Sequence, residues 1–370
     1  MTGARHLYVH LPFCSSRCGY CDFVTVVGRD GEHDRYVSAL LRELELERSL
    51  LAPELESVYL GGGTPTLTAA RALERLLASL PPAAEVTVEA NPETVTAEVA
   101  LLLAQNGVDR VSIGAQSFNT HLLELLERRS RPEDVRRAVH RLRDAGIGNI
   151  SLDLIYGIPG QGPADLARDL AEALRLEPEH ISAYELEAKA GTRFTHVHGD
   201  ELVRQAEAME EYFERVVETL TAAGYRWYET ANFCRLPEPA GGRDLRARHN
   251  LGYWLGRDYL GLGIGAVSTI ENRRWRNAPS LRGYLAALER GERPARTVEE
   301  LPPEVRAAER LMLGLRLDEP LALAGLGDAL DEEELERLAG HGLAVRGEGS
   351  LSLTARGRFL GGGVTARLLA

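Results

Sequence analysis

The stretch His10–Phe23 reads HLPFCSSRCGYCDF and sets Cys14, Cys18 and Cys21 in a C-x3-C-x2-C run with no fourth cysteine nearby. A cubane iron–sulfur cluster normally takes four cysteine thiolates, so three leave one iron open to an outside ligand. Closed metal sites hold folds together, whereas an open coordination position is where metal chemistry happens. A structural zinc site competes for the same residues. Zinc asks for a second Cys or His half-site, yet the only other cysteine, Cys234, stands more than two hundred residues on. Four cysteines in 370 residues, three of them within eight positions, also do not make the disulfide framework of a secreted domain. The run therefore predicts one [4Fe–4S] cluster on three cysteines ahead of zinc.

Working outward, short β-rich runs alternate with helical periodicity as far as about residue 230. His6–His10, Ser57–Leu60, Glu85–Glu89, Arg110–Gly114, Asn149–Leu154 and His180–Glu185 read as six strands. Between them lie amphipathic segments such as Asp34–Leu51, where Val37, Leu40, Leu41 and Leu44 fall at helical spacing behind a capping Asp34. Such alternation implies a parallel sheet with helices outside, and six units make an incomplete barrel rather than the closed eight. The expected fold is α/β: a partial (β/α)6 barrel over residues 1–230, a less regular connecting region over 231–296, and a small, mostly helical C-terminal domain over 297–370. Helical patterns at Val305–Leu315 and Glu332–Leu338, with a hairpin across Gly347–Gly349, make that last part winged-helix-like. In parallel sheets of this kind the site sits at the carboxyl ends of the strands. The unusual residues collect there: the cysteines after strand one, Gly61-Gly62-Gly63-Thr64-Pro65 after strand two, Glu89-Ala90-Asn91-Pro92 closing strand three, Gln116 after strand four and Asp153 near the end of strand five.

Composition removes several function classes. Lys and Arg number 43 against 55 Asp and Glu, a net charge of −12, which is not the footprint of a nucleic-acid binder. The arginine-rich stretch Arg136–Arg143 alternates with apolar positions and reads as a solvated helix face. No run of about 18 apolar residues occurs to span a membrane. The N-terminus passes from MTGARH into LYVHL without a signal-peptide h-region, so a cytoplasmic protein is expected, in a reducing milieu that protects an exposed cluster.

With these motifs in place, the chain resembles the radical S-adenosylmethionine (SAM) superfamily. The cysteine run with Tyr20 ahead of its last member, the GGGTP loop and the ordered strand-end polar residues carry that resemblance. It implies that the amino and carboxylate groups of SAM chelate the open iron, and that one electron from the reduced cluster releases methionine and a 5′-deoxyadenosyl radical. Glycines allow close backbone approach, which places Gly62, Gly63 and Thr64 at the methionyl end of the cofactor. Glu89, Gln116, Arg128 and Asp153, in VEANP, GAQSF, LLERRS and LDLIYGIPG, match in order the SAM contacts of the coproporphyrinogen oxidase-like branch, and Tyr8 and Tyr20 match two further positions. A carboxylate accepts from ribose hydroxyls, and an arginine takes a carboxylate in two parallel bonds.

Two families within that branch compete. The oxygen-independent coproporphyrinogen III oxidase carries a further cysteine two residues after the third, where this chain has Phe23, and a segment before the first strand, where this chain has five residues. The HemW-type haem chaperones have C-x3-C-x2-C-x-F and an H-N-x-x-Y-W element, present here as His249-Asn250-Leu251-Gly252-Tyr253-Trp254. The second resemblance covers nearly the whole chain. It implies that haem b is bound as cargo and passed to respiratory haem proteins, with the cluster and SAM retained for regulation or for homodimer formation. No catalytic residue is expected. His249 is the candidate haem ligand, since a neutral imidazole suits iron and Tyr253 and Trp254 would flank a porphyrin; the competing reading is a satisfied core histidine. Cys234 reads as a buried free thiol. The alternatives are the oxidase, decarboxylating porphyrinogen propionates by hydrogen-atom abstraction, and a scaffold that acts only as an interaction protein.

Overall fold

The computed structural model describes residues 3–187, 193–237 and 242–370. All six expected strands form and pair in parallel in chain order: β1 His6–Leu11, β2 Ser57–Gly62, β3 Val86–Ala90, β4 Arg110–Gln116, β5 Asn149–Tyr156 and β6 His180–Glu185. Parallel strands covered on both faces usually read as continuous apolar runs. These alternate instead. Leu7, Val9, Leu11, Val58, Leu60, Val88, Val111, Ile113, Ile150 and Leu152 pack with Tyr36, Val37, Leu40, Leu73 and Leu76 of the covering helices in one core. The positions between them are polar: His6, Tyr8 and His10 on β1, Ser57 and Tyr59 on β2, Thr87 and Glu89 on β3, Ser112 on β4, Ser151 and Asp153 on β5, His180 and Ser182 on β6. Period two along each strand turns these residues to the opposite, lumen face, where they bond from one strand to the next.

The connecting region differs from its expected irregular form. It holds β8 Asn232–Arg235, β9 Tyr259–Leu262, β10 Val267–Ile270 and β11 Arg273–Asn277, flanked by β7 Tyr225–Glu229 before it and β12 Arg296–Glu300 at its end. The resulting sheet of twelve strands runs β12-β11-β10-β9-β1-β2-β3-β4-β5-β6-β8-β7. β9 lies parallel to β1 with Tyr259 opposite His6, and β8 lies antiparallel to β6. These strands are four or five residues long and are broken by left-handed turns at Gly263, Gly265 and Glu271, so no sustained alternation marks them in the sequence.

The helix expected behind Asp34 runs His33–Glu47, with Glu32 at its N-terminal boundary and no side-chain cap. Asp34 lies inside the first turn, where a carboxylate favours the helix dipole but caps nothing. The C-terminal part contains helices Pro303–Gly314 and Glu332–Gly340 and a three-stranded sheet of Leu321–Ala322, Ala344–Gly347 and Ser350–Leu353. Leu311, Leu315, Leu335, Leu338, Leu351 and Leu368 form its own core. Among the described residues no helix is long and apolar enough to cross a membrane.

Candidate functional site at the carboxyl ends of the strands

Past the end of β1, Phe13–Cys14 bridges in parallel to Val26–Val27, which folds the cysteine loop back over the barrel mouth. Cys14 Sγ lies 3.6 Å from Thr64 Oγ1, which accepts from Asn91 Nδ2 at 3.0 Å. Asn91 Oδ1 in turn accepts from Arg128 Nη2 at 2.7 Å, and Arg128 Nη1 reaches Cys18 Sγ at 3.7 Å. Two of the three thiols are thus tied into one relay, Cys14–Thr64–Asn91–Arg128–Cys18. Cys21 joins through its backbone, its N–H donating to the Cys18 carbonyl at 3.2 Å. Burial pushes the Cys14 and Cys21 thiols up, the first against its bond to Thr64. Among the described residues no group of three or more His, Cys, Asp or Glu is drawn together to enclose one ion. Thiolates around a single zinc, each about 2.3 Å from it, have to converge. Three soft thiols on one loop are the donor chemistry of an iron–sulfur cluster, whose ligands sit on separate iron corners.

The glycine loop closes this mouth from β2. Gly62 has φ 108°, and a Cβ there would fall 2.3 Å from the His10 ring. A Cβ on Gly63 would meet the Pro12 carbonyl carbon at 2.5 Å, a backbone atom that cannot step aside. Gly63 N donates to Leu11 O and Thr64 N to Phe13 O, both at 2.8 Å, clamping the glycine loop to the cysteine strand. Beneath it, Glu89 Oε2 accepts from Gly62 N at 2.9 Å and Oε1 from Tyr59 Oη at 2.7 Å. Burial raises the Glu89 carboxyl, with those two bonds opposing.

Three other candidates complete the ring. Asp153 accepts from Ser112 Oγ with both oxygens, at 3.0 and 3.1 Å, and burial raises its carboxyl as well. Gln116 sits at a break in the β4–β5 register with φ 64°, the left-handed region that costs a non-glycine residue about 1 kcal/mol or more. Arg128 also bonds the Gly114 carbonyl at 3.1 Å, one turn of chain before Gln116. Tyr8 points into the lumen, its Oη 3.0 Å from His10 Nδ1 and its ring 6.2 Å from that of Tyr59. Tyr20 stands edge-on to Phe194 and packs against an apolar group that includes Leu122, Leu126 and Ile158, while its side chain bonds Arg128 beside Cys18 and Cys21.

His249 is elsewhere. Helix Arg248–Trp254 plugs the opposite, amino-terminal end of the lumen, and His249 is 1% exposed. Its Nδ1 lies 2.8 Å from Ser57 Oγ and its Nε2 2.8 Å from Tyr253 Oη, so both ring nitrogens are engaged. Burial, then the neighbouring His6, lowers it to about 3. Its ring stacks on Tyr59 at 5.0 Å, and Tyr59 is the residue that holds Glu89. Cys234 is buried in β8 beside Tyr228 and Leu317, and burial pushes its thiol up to about 11.

Sequence reasoning missed Tyr59, Ser57, Ser112 and His6, and named Asn91 at a strand end without giving it a role. The signal was present: polar residues at every second position of otherwise β-branched and aliphatic strands mark a wet inner face.

Residues 8–173 match the model of the radical SAM superfamily. The haem chaperone HemW of Mycobacterium tuberculosis is 37% identical, the match spanning 98% of this chain and 94% of that protein. HemW of Bacillus subtilis is 32% identical over 99% of both. Among solved structures, the coproporphyrinogen III oxidase HemN of Escherichia coli, a radical SAM enzyme, superposes with a TM-score of 0.81 over 99% of this chain and 90% of that one, at 23% identity, a likeness of fold.

Proposed function

The chain belongs to the HemW family of haem chaperones in the radical SAM superfamily, and from that membership we propose that it binds haem b and delivers it to respiratory haem proteins while carrying one [4Fe–4S] cluster and SAM. The observation that carries the proposal is the contact between its two signatures. His249 of the HNLGYW element stacks on Tyr59, and Tyr59 donates to Glu89 under the glycine loop. The cofactor end and the chaperone-type element are therefore joined through the lumen by one ring stack and one hydrogen bond.

In this reading Cys14, Cys18 and Cys21 hold three irons, and Thr64 and Arg128 bond the ligating sulfurs, a contact that tunes cluster potential. Gly62, Gly63 and Thr64 present backbone to the methionyl end of SAM. Glu89 would receive the amino group of SAM, which would favour its ionised form against burial, Asp153 and Gln116 would take the ribose side, and Arg128 would meet the carboxylate. Tyr8 and Tyr20 border the pocket from the lumen and from the loop. When bound, cluster and SAM together supply one-electron chemistry at the sulfonium. A cytoplasmic location and a homodimer belong to the same reading.

Haem titrated into the reconstituted protein tests it. A Soret band saturating near one haem per chain, followed by transfer to an apo-haem protein, is the expected result. Absence of saturable binding would reject the proposal.

A further inference from the structure

Gln116 ends β4 in a conformation that a side chain of its kind disfavours. Its φ is 64°, and Ser117 N donates to the Ala115 carbonyl at 2.8 Å, so Gln116 is the central residue of a three-residue turn. With positive φ such a turn is the rare, strained form, and strained backbone persists only where its surroundings fix it. The turn also decides where the amide goes. A Cβ added to Gly114 would stand 2.7 Å from Gln116 Nε2 and 3.4 Å from Arg128 Nη2, so the amide lies back over Gly114 beside the guanidinium that reaches Cys18. An ordinary negative φ at residue 116 would aim both its side chain and the chain after it elsewhere.

What fixes the turn stands behind the mouth. Asp169, on the helix Pro163–Arg175 that follows β5, is 1% exposed, and its carboxylate accepts from the three residues directly after Gln116. Ser117 Oγ reaches its two oxygens at 3.0 and 2.8 Å, Phe118 N donates at 2.6 Å and Asn119 Nδ2 at 3.0 Å. Ser117 Oγ in turn accepts from Asn119 N at 3.0 Å, and Arg168 Nη1 donates to Asn119 Oδ1 at 2.9 Å. A carboxylate buried this deeply is costly unless donors surround it. Here its donors all belong to the loop that leaves Gln116.

We propose that Asp169 is a positioning residue of the SAM site: it anchors Ser117–Asn119 and so holds Gln116 in the turn that keeps its amide over Gly114 at the mouth. The proposal rests on the reading of Gln116 as a SAM contact and extends that site to a residue on the covering helix. Without the anchor the backbone at Gln116 relaxes to negative φ, and the amide leaves Gly114 as it does so.

The experiment titrates SAM anaerobically into the reduced, cluster-loaded full chain and its variants and reads the concentration that gives half of the paramagnetic resonance change, with iron content and Tm recorded for each. Gln116→Ala should raise that concentration about three- to tenfold, the worth of one hydrogen bond. Asp169→Ala should raise it as far while the cluster content stays at the wild-type value. Asp169→Asn should recover most of that loss, because Oδ1 keeps the bonds from Phe118 and Asn119 and Nδ2 donates to the Ser117 hydroxyl. The double variant Gln116→Ala/Asp169→Ala should bind SAM no more weakly than Gln116→Ala alone, since one side chain acts through the other; a purely structural role would multiply the two losses. Multiplied losses, an Asp169→Asn chain as weak as Asp169→Ala, or an Asp169→Ala chain with wild-type affinity would each overturn the proposal. Should Asp169→Ala not fold, Ser117→Ala, which removes a single donor, takes its place in the same cycle with the same reading of the outcomes. Wild-type SAM affinity in Gln116→Ala would instead refute the contact reading of Gln116, and the positioning role would fall with it.

Discussion

Arg128 shows how much one side chain can hold. Its two terminal nitrogens reach Asn91, the Gly114 carbonyl and Cys18, so the loop of β3, the end of β4 and the cysteine run share one fork. Its place in LLERRS was legible only through resemblance, because nothing in the local residues says which strand end it will meet. The cysteines were legible outright, since spacing alone brings three thiols onto one loop. Each of Cys14→Ala, Cys18→Ala and Cys21→Ala should abolish the brown colour, with iron and sulfide analysis falling from about four of each per chain. Adding SAM should alter the paramagnetic resonance signal of the reduced cluster, and Asp153→Ala should blunt that change; a spectrum indifferent to SAM would refute the assignment. The lumen histidines carry a pH signature. Burial lowers His6 and His10 to about 4 and His249 to about 3, against 6.5. The unfolded chain therefore binds more protons below pH 6.5, so the stability these groups contribute is complete above that value and is lost as the pH falls from 6.5 through 4 towards 3. Each is worth on the order of 3 kcal/mol across that window. Chemical denaturation at pH 7 and pH 4.5 should show the loss, and His10→Asn should make it smaller.

At the scale of elements, the six parallel strands were readable because a hydrophobic period of two, interrupted by helical periods, survives any tertiary context. The strands β7–β12 were not, since four-residue strands between glycine turns leave too short a period to detect. Helix Arg248–Trp254 is the extreme case: seven residues whose meaning lies wholly in the hole they fill. Gly252 is the reason it fits. A Cβ there would stand 2.8 Å from the His6 ring, which is itself fixed by Ser57. Gly252→Ala should therefore push the plug outward and destabilise the fold by about 1–3 kcal/mol, the usual cost of overpacking a closed core. Calorimetry would register this as a lowered Tm, whereas Gly256→Ala, in open space but at φ 64°, should cost less.

For the whole molecule, a TM-score of 0.81 to a coproporphyrinogen oxidase means that architecture does not separate oxidase from chaperone. Single positions do. Phe23, 60% exposed at the lip of the cysteine loop, stands where the oxidase pattern has its extra cysteine. Incubation with coproporphyrinogen III, SAM and a reductant under anaerobic conditions should yield no protoporphyrinogen IX, and enzyme-like turnover would overturn the proposed function.

The pairing of β1 with β9 also has a consequence for biosynthesis. Once made, β1 waits for a neighbour about 250 residues later, roughly 12–50 s at ordinary elongation rates of about 5–20 residues per second. Until then β1 is a bare edge, and the polar floor of the barrel, with His6, Ser57 and Glu85, has no lid of its own chain. A nascent chain stalled before Trp254 should remain protease-sensitive and unable to accept its cluster, so that metal loading waits for β9 to be made.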